Sequence, residues 1–411
     1  MSQKVVETGT ESGAAKTEDV ATQAALEGSH IGLPPRFDFN QVDPLHLAVV
    51  APVAPPDLGP LAAFVGNWTG NGFNTIFRPD STETPTPLPT PAGGDNVLEL
   101  NLTQESLSFS PNLGSVPNRG MVQGDIFLNG VPYLQTINDV TTGQPVGIHV
   151  EPGIWMAVPS TTDPAEPTQT LVRMGSIPHG TTILAQGTAT TAAGPPAIPP
   201  ADITPFVSSS GQRIRFQSQT ASAQGTARIP QDLTNIPITQ AMLDDPNSVL
   251  RDHIANQHID STTTISISTA PAQPLFGGGT DNIAFLLGDP SAPINPNNPG
   301  QNAQTVIMNA TFWIETVEHT ILLPPLERAL AADAQPLELK PEGLPPGAPA
   351  PTFSARPPVP ILRPHPITIR TKQIQYSQLV VLNFNGLSWP HVSVATLVPA
   401  GPIPVTGGWP S

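Results

Sequence analysis

Apolar and polar residues alternate along much of the chain with a period of two. Asn101–Phe109 (NLTQESLSF) shows it well, as a half-buried strand should. Similar runs stand at Phe64–Phe77, Val97–Phe109, Gly120–Leu128, Pro132–Ile137, Gly147–Val158, Thr170–Gly175, Ile183–Gly187 and Arg213–Ser218. They resume at Thr262–Thr269, Asn282–Leu287, Thr305–Val317, Ile367–Asn383 and His391–Val398. Between them lie Gly/Pro/Asn-rich breakers such as PTPLPTPAGG and TAAGPPAIPP. Many short strands with such turns predict an all-β fold, an antiparallel up-and-down, calycin-like β-barrel with long insertions and a few short helices.

Helical patterning is brief. Ile238–Leu243 and Asn247–Gln257 can both be helical, with Asp244 and Asp245 beside Pro246 read as helix-start chemistry. Thr17–Gly28 and Leu326–Asp333 are further helix candidates. The predicted organisation is an extended arm at 1–57 and a single elaborated barrel at 58–400. The barrel carries a helical insertion at about 229–258 and a proline-rich surface linker at 341–366, and a tail follows at 401–411. A separate small β-domain at 260–325 stays open as the alternative.

Composition narrows the function classes. The 411 residues hold 53 Pro and no Cys, and only 12% are charged, against about 25% in ordinary domains. Lack of Cys excludes disulfide scaffolds, zinc–thiolate sites, iron–sulfur clusters and thiolate-ligated haem. Proline at this density excludes a helical bundle. A net charge of −16 argues against a nucleic-acid partner. The start, Met1–Gln23, lacks the apolar stretch of a signal peptide, and no window reaches a membrane span. The expectation is a cytoplasmic protein with no membrane partner, with leaderless export left open.

Three motifs carry candidate chemistry. In Gly66-Asn67-Trp68-Thr69-Gly70-Asn71-Gly72 the glycines and Trp68 share one strand face, which lets another backbone or a flat ligand approach. Trp68 by itself reads as a plug for one barrel end. In the run from Gly147 to Trp155, His149, Glu151, Gly153 and Trp155 alternate onto one face. Two ionisable groups there must pair or touch water. In Trp389-Pro390-His391, Pro390 fixes the angle at which His391 opens a strand of small and β-branched residues.

In this order the motifs resemble the nitrobindin family, haem-binding barrels related to lipocalins and fatty-acid-binding proteins. Gly66, Trp68, Gly70 and Gly72 match its opening motif. His149, Glu151, Gly153 and Trp155 match its middle strand, and Pro390 and His391 its closing strand. The sequence departs from the family at Asn74, at Ile76-Phe77 and at Ile154. The resemblance implies haem b as cofactor and His391 as its metal ligand. His149, Trp155 and Trp68 complete the expected cofactor-binding set. It further implies an open face for a small oxidant such as nitric oxide, peroxynitrite or peroxide. Two alternatives remain: a metal-free, lipocalin-like carrier of a hydrophobic small molecule, and a self-assembling structural β-protein, a homo-oligomer through its extended arms. Catalytic residues are not assigned, and enzymatic activity is left undecided.

Other residues read more plainly. His179 sits at a turn on the barrel rim, and His253 and His258 are spaced too poorly to share a helical metal site. Glu315 and Glu318 read as a solvated strand edge.

Overall fold

In a computed structural model of the chain, residues 57–81, 86–88, 94–110, 113, 115–272, 277–289 and 302–410 are described. The expected arm, with its helix at 17–28, lies outside them apart from Asp57.

Ten strands form a closed antiparallel barrel. They are β1 Gly66–Pro79, β2 Asn96–Phe109, β3 Ile126–Asp139, β4 Val146–Val158, β5 Thr170–Ile177, β6 Thr181–Ala193, β7 His258–Ser268, β8 Gln304–Leu323, β9 His365–Phe384 and β10 Leu387–Pro399. Each pairs with the next in sequence, and β10 pairs back onto β1, so the barrel is up-and-down. The fold class read from alternation is therefore observed. Strand-like sequence at 260–325 supplies β7 and β8 of the same ring, not a second domain.

The β1–β10 seam explains the alternating glycines. An ideal Cβ on Gly70 would lie 1.9 Å from the Thr396 carbonyl oxygen, and one on Gly72 would lie 1.9 Å from that of Val394. Only a residue without a side chain allows this approach. Gly72→Ala is expected to destabilise the protein by about 2 kcal/mol through strand displacement. A urea denaturation midpoint indistinguishable from the parent would refute it.

Residues 194–257, between β6 and β7, fold over the outside of the barrel. They carry α1 Gln240–Asp244, capped by Thr239, and α2 Ser248–Ile254. Leu243 and Leu250 join Phe73, Val392 and Val394 in the main core. Gln375 donates to the Leu250 carbonyl at 2.9 Å, so α2 rests on the outer face of β9. The layer is organised around Arg228, fully buried, whose guanidinium donates to the carbonyls of Ser218, Thr220, Ala221, Ala223, Pro230 and Gln231. The strand expected at Arg213–Ser218 is instead irregular chain in this layer, and Asn282–Leu287 ends in a short helix, α3 Ala284–Leu287.

The 20-residue strands β8 and β9 run on past the ring. Their outer halves bury Ile321, Leu323 and Ile367 against Phe353, Ile361 and Val405 in a second small core. The run 341–366 is thus not a plain surface linker. Phe353–Ala355 pairs with Leu337–Leu339 and with Ile403–Val405, the latter from the expected tail. Leu326–Asp333 forms no helix, because Leu326 exchanges backbone hydrogen bonds with Ile361. Tertiary pairing overrides the local propensity there.

Candidate functional site: a central cavity over a polar floor

Alternation along β4 orders the barrel interior into three layers. His149 borders a cavity, Glu151 lies in a polar layer below it, and Trp155 lies in an apolar plug. β1 repeats the sequence: Arg78, Ile76 and Asn74 border the cavity, and Trp68 ends in the plug. In the plug Phe64 stacks on Phe109 at 4.7 Å, and Trp155 meets Phe312 edge-on at 5.2 Å. The Trp68 indole donates to the Phe64 carbonyl at 2.8 Å. Trp68 and Trp155 are therefore plug residues and do not line the cavity, which corrects their expected place in a cofactor-binding set. Both are large enough to fill the barrel end, and both are consumed doing so.

The cavity holds about 420 Å³. That lies within the range of small-molecule sites, roughly 300–1,000 Å³. Its walls are largely apolar, with Ile76, Ile137, Ile148, Ile177, Val380 and Leu382. Leu286 of α3 closes part of the rim, and Arg78, ion-paired with Glu99 at 3.2 Å, also borders it.

Three histidines converge here: His149, His179 and His391. His391 stands on the β10 wall. Burial, with the His149 and His179 charges adding, drives its pKa down to about 3, so it is a neutral imidazole at physiological pH. Its Nε2 lies 2.7 Å from Asn74 Oδ1 and 3.3 Å from Ser393 Oγ. Ser393 also donates to Asn74 Oδ1 at 2.8 Å, while Asn74 Nδ2 donates to Asn101 Oδ1 at 2.9 Å. Ser393 and Asn74 thus meet the same ring nitrogen, which is not the arrangement that activates a serine nucleophile. The rings of His149 and His179 lie 5.7 Å apart, and burial lowers the His179 pKa. His149 Nε2 is 3.4 Å from Glu151 Oε2.

The floor contains groups that the sequence alone did not assign. Arg173 donates to Glu151 at 2.7 Å, to the Tyr133 hydroxyl at 3.0 Å and to Gln378 at 2.7 Å. Tyr133 also donates to Glu151. Beside this cluster, Glu105 accepts from Tyr376 at 2.7 Å, Thr103 at 2.9 Å and Gln135 at 3.3 Å. A lone Arg inside the apolar strand TLVRMGSI was the available signal for Arg173. Glu105 and Tyr376 come from strands far apart in the chain and share no local pattern.

The remaining candidates separate. His253 bonds Thr396 at 2.9 Å from α2, beneath the outer layer. His258 groups with Asp260 and Glu318 on the outer surface, where Arg370 already binds both carboxylates. Glu318 is part of a surface ion network, but Glu315 is fully buried, not solvated, because the outer layer covers its face of β8. No helix among the described residues is long and apolar enough to cross a membrane.

No protein-family model and no curated protein matches the chain. Among solved structures, the crystal structure of Rv2717c from M. tuberculosis is similar at 10% identity and a TM-score of 0.29, over 84% of this chain and all of that one.

Proposed function

We propose that the barrel binds haem b through His391 and presents the remaining face of the iron to a small oxidant such as nitric oxide, peroxynitrite or hydrogen peroxide. The observation that carries this reading is a neutral imidazole on the wall of a mostly apolar cavity inside a closed barrel. Haem iron held by one histidine supplies a site for diatomic or peroxidic ligands. The donor set fits. His391 is already neutral, and the isoleucine and leucine walls suit a macrocycle. Ligation through Nε2 requires the bond to Asn74 to open and the ring proton that Nε2 donates to the Asn74 oxygen to pass to Nδ1. Asn74 then keeps Ser393 and Asn101 as partners. Glu151 orients the His149 ring beside the cavity.

That same Asn74 bond supports a second reading, a metal-free carrier whose His391 orients a hydrophobic molecule carrying one polar group. Hemin titration separates the two. Binding with a sharp Soret band is expected for the wild type. His391→Ala should weaken it by more than the roughly 10–100-fold seen when a supporting residue of a metal site is lost. Asn74→Ala should bind at least as tightly as the wild type. Unchanged hemin affinity in His391→Ala overturns the haem reading. A wild type that takes up retinoid or fatty-acid probes but not hemin establishes the carrier.

A further inference from the structure

The chain has only two tyrosines, Tyr133 and Tyr376, and no cysteine. Both tyrosines are buried inside the barrel, and each donates its hydroxyl proton to a buried carboxylate. We propose that Tyr376 is a one-electron donor to an oxidant held in the cavity, with Glu105 as the acceptor of its proton. The proposal rests on the cavity reading above only in taking that oxidant, a peroxynitrite-derived radical or peroxide activated at the haem, to sit beside Tyr376.

The geometry distinguishes the two tyrosines. Tyr376 borders the cavity, and its ring stacks on Phe312 at 5.4 Å, which in turn meets Trp155. Its hydroxyl lies 2.7 Å from Glu105 Oε2 in a pocket whose other donors, Gln135 and Thr103, are neutral. Burial raises the Glu105 pKa, which makes the carboxylate a better base than an exposed one. Tyr133 does not border the cavity. The Arg173 guanidinium lies 5.5 Å over its ring and donates to its hydroxyl. A full positive charge there opposes loss of an electron. Its carboxylate partner, Glu151, is already bound by Arg173, and a proton placed on it would break that pair.

The step balances within named groups. One electron leaves the Tyr376 ring for the oxidant, the O–H bond breaks, and the proton passes to Glu105 Oε2. The products are a neutral phenoxyl radical, a Glu105 carboxylic acid and an oxidant reduced by one electron. Such a donor in a cysteine-free barrel would spare the walls from oxidation, because the hole comes to rest on one defined ring.

The test uses the full chain without haem and the azide radical, generated by pulse radiolysis, as one-electron oxidant. A phenoxyl radical is expected in the wild type and in Tyr133→Phe, and its loss in Tyr376→Phe, which keeps the ring stack on Phe312. Glu105→Gln should slow its appearance roughly tenfold or more, as removal of a positioned base does. Thermal melts of each variant confirm that it is folded. An undiminished phenoxyl signal in Tyr376→Phe, or an unchanged rate in Glu105→Gln, overturns the proposal. In a second arm, the hemin-loaded protein is mixed with hydrogen peroxide and freeze-quenched for electron paramagnetic resonance. A tyrosyl signal absent from Tyr376→Phe supports the assignment. Failure to load hemin refutes the haem reading alone and leaves the azide-radical result to decide the role of Tyr376.

Discussion

Arg173→Met is expected to destabilise the protein by about 3–5 kcal/mol at neutral pH. Burial pushes the Glu151 pKa up, yet the Arg173 charge, with bonds from His149 and Tyr133, outweighs it and holds the value at about 2. In the wild type the group therefore adds stability above its ordinary value of 4.5 and loses it as pH falls through about 2. Without the guanidinium, burial, the largest influence on this group, is opposed only by the bonds from His149 and Tyr133, and the sign is expected to reverse: the variant loses stability as pH rises past the ordinary carboxylate range. The gap between variant and wild type should thus be wide at pH 7 and narrow near pH 4, measured as urea unfolding free energy. Adding Glu151→Leu should recover most of the loss, because a buried pair replaced by apolar groups costs far less than one orphaned charge. A gap constant with pH would mean that Arg173 acts through its volume, not its charge.

Glu315→Gln is expected to act in the opposite direction, as a stabilising change that grows with pH. Glu315 is fully buried under the outer layer, with Gln373 donating to one oxygen at 2.7 Å and no hydrogen-bond partner at the other. Burial outweighs that single bond and pushes its pKa up to about 8. Between the ordinary 4.5 and about 8 the unfolded chain has released a proton that the folded protein keeps. Stability falls with rising pH across that window, by roughly 5 kcal/mol in all at about 1.4 kcal/mol per pH unit. Glutamine keeps the acceptor for Gln373 and has nothing to ionise. The two proteins should unfold alike at pH 4, with the variant ahead by an amount approaching that figure at pH 8.5. Parallel stability profiles would contradict it.

These two residues also mark where sequence reading stops. Period-two alternation located nearly all the barrel strands, because each wall has one face toward the interior and one away from it. Alternation does not reveal that a second layer covers the far face. Alternation alone therefore sets Glu315 in solvent, whereas the outer layer buries it. The same limit applies to Trp155. Its register with His149 on one face is legible from alternation, but a face four positions long, from His149 to Trp155, crosses from cavity through polar floor to plug. The glycine spacing in β1 was legible because it answers to a local contact, the approach of β10. The floor around Arg173, Glu105 and Tyr376 was not, because its members come from five strands and meet only when the ring is assembled. His391 and His149 were found by motif, and both border the cavity. His179, read only as a rim residue, borders it as well.

The seam between β1 and β10 has a consequence for how the protein comes to exist. Asn74 and His391 are joined across 317 positions of sequence. Contacts of such separation form late and slowly, since the whole intervening chain must be gathered first. The imidazole is set in its wall only once β10 has paired with β1. A chain shortened before β10, or one stalled with the ring open, offers the cavity walls without the histidine. A ligand that binds only the closed ring would draw open chains to the closed form by mass action.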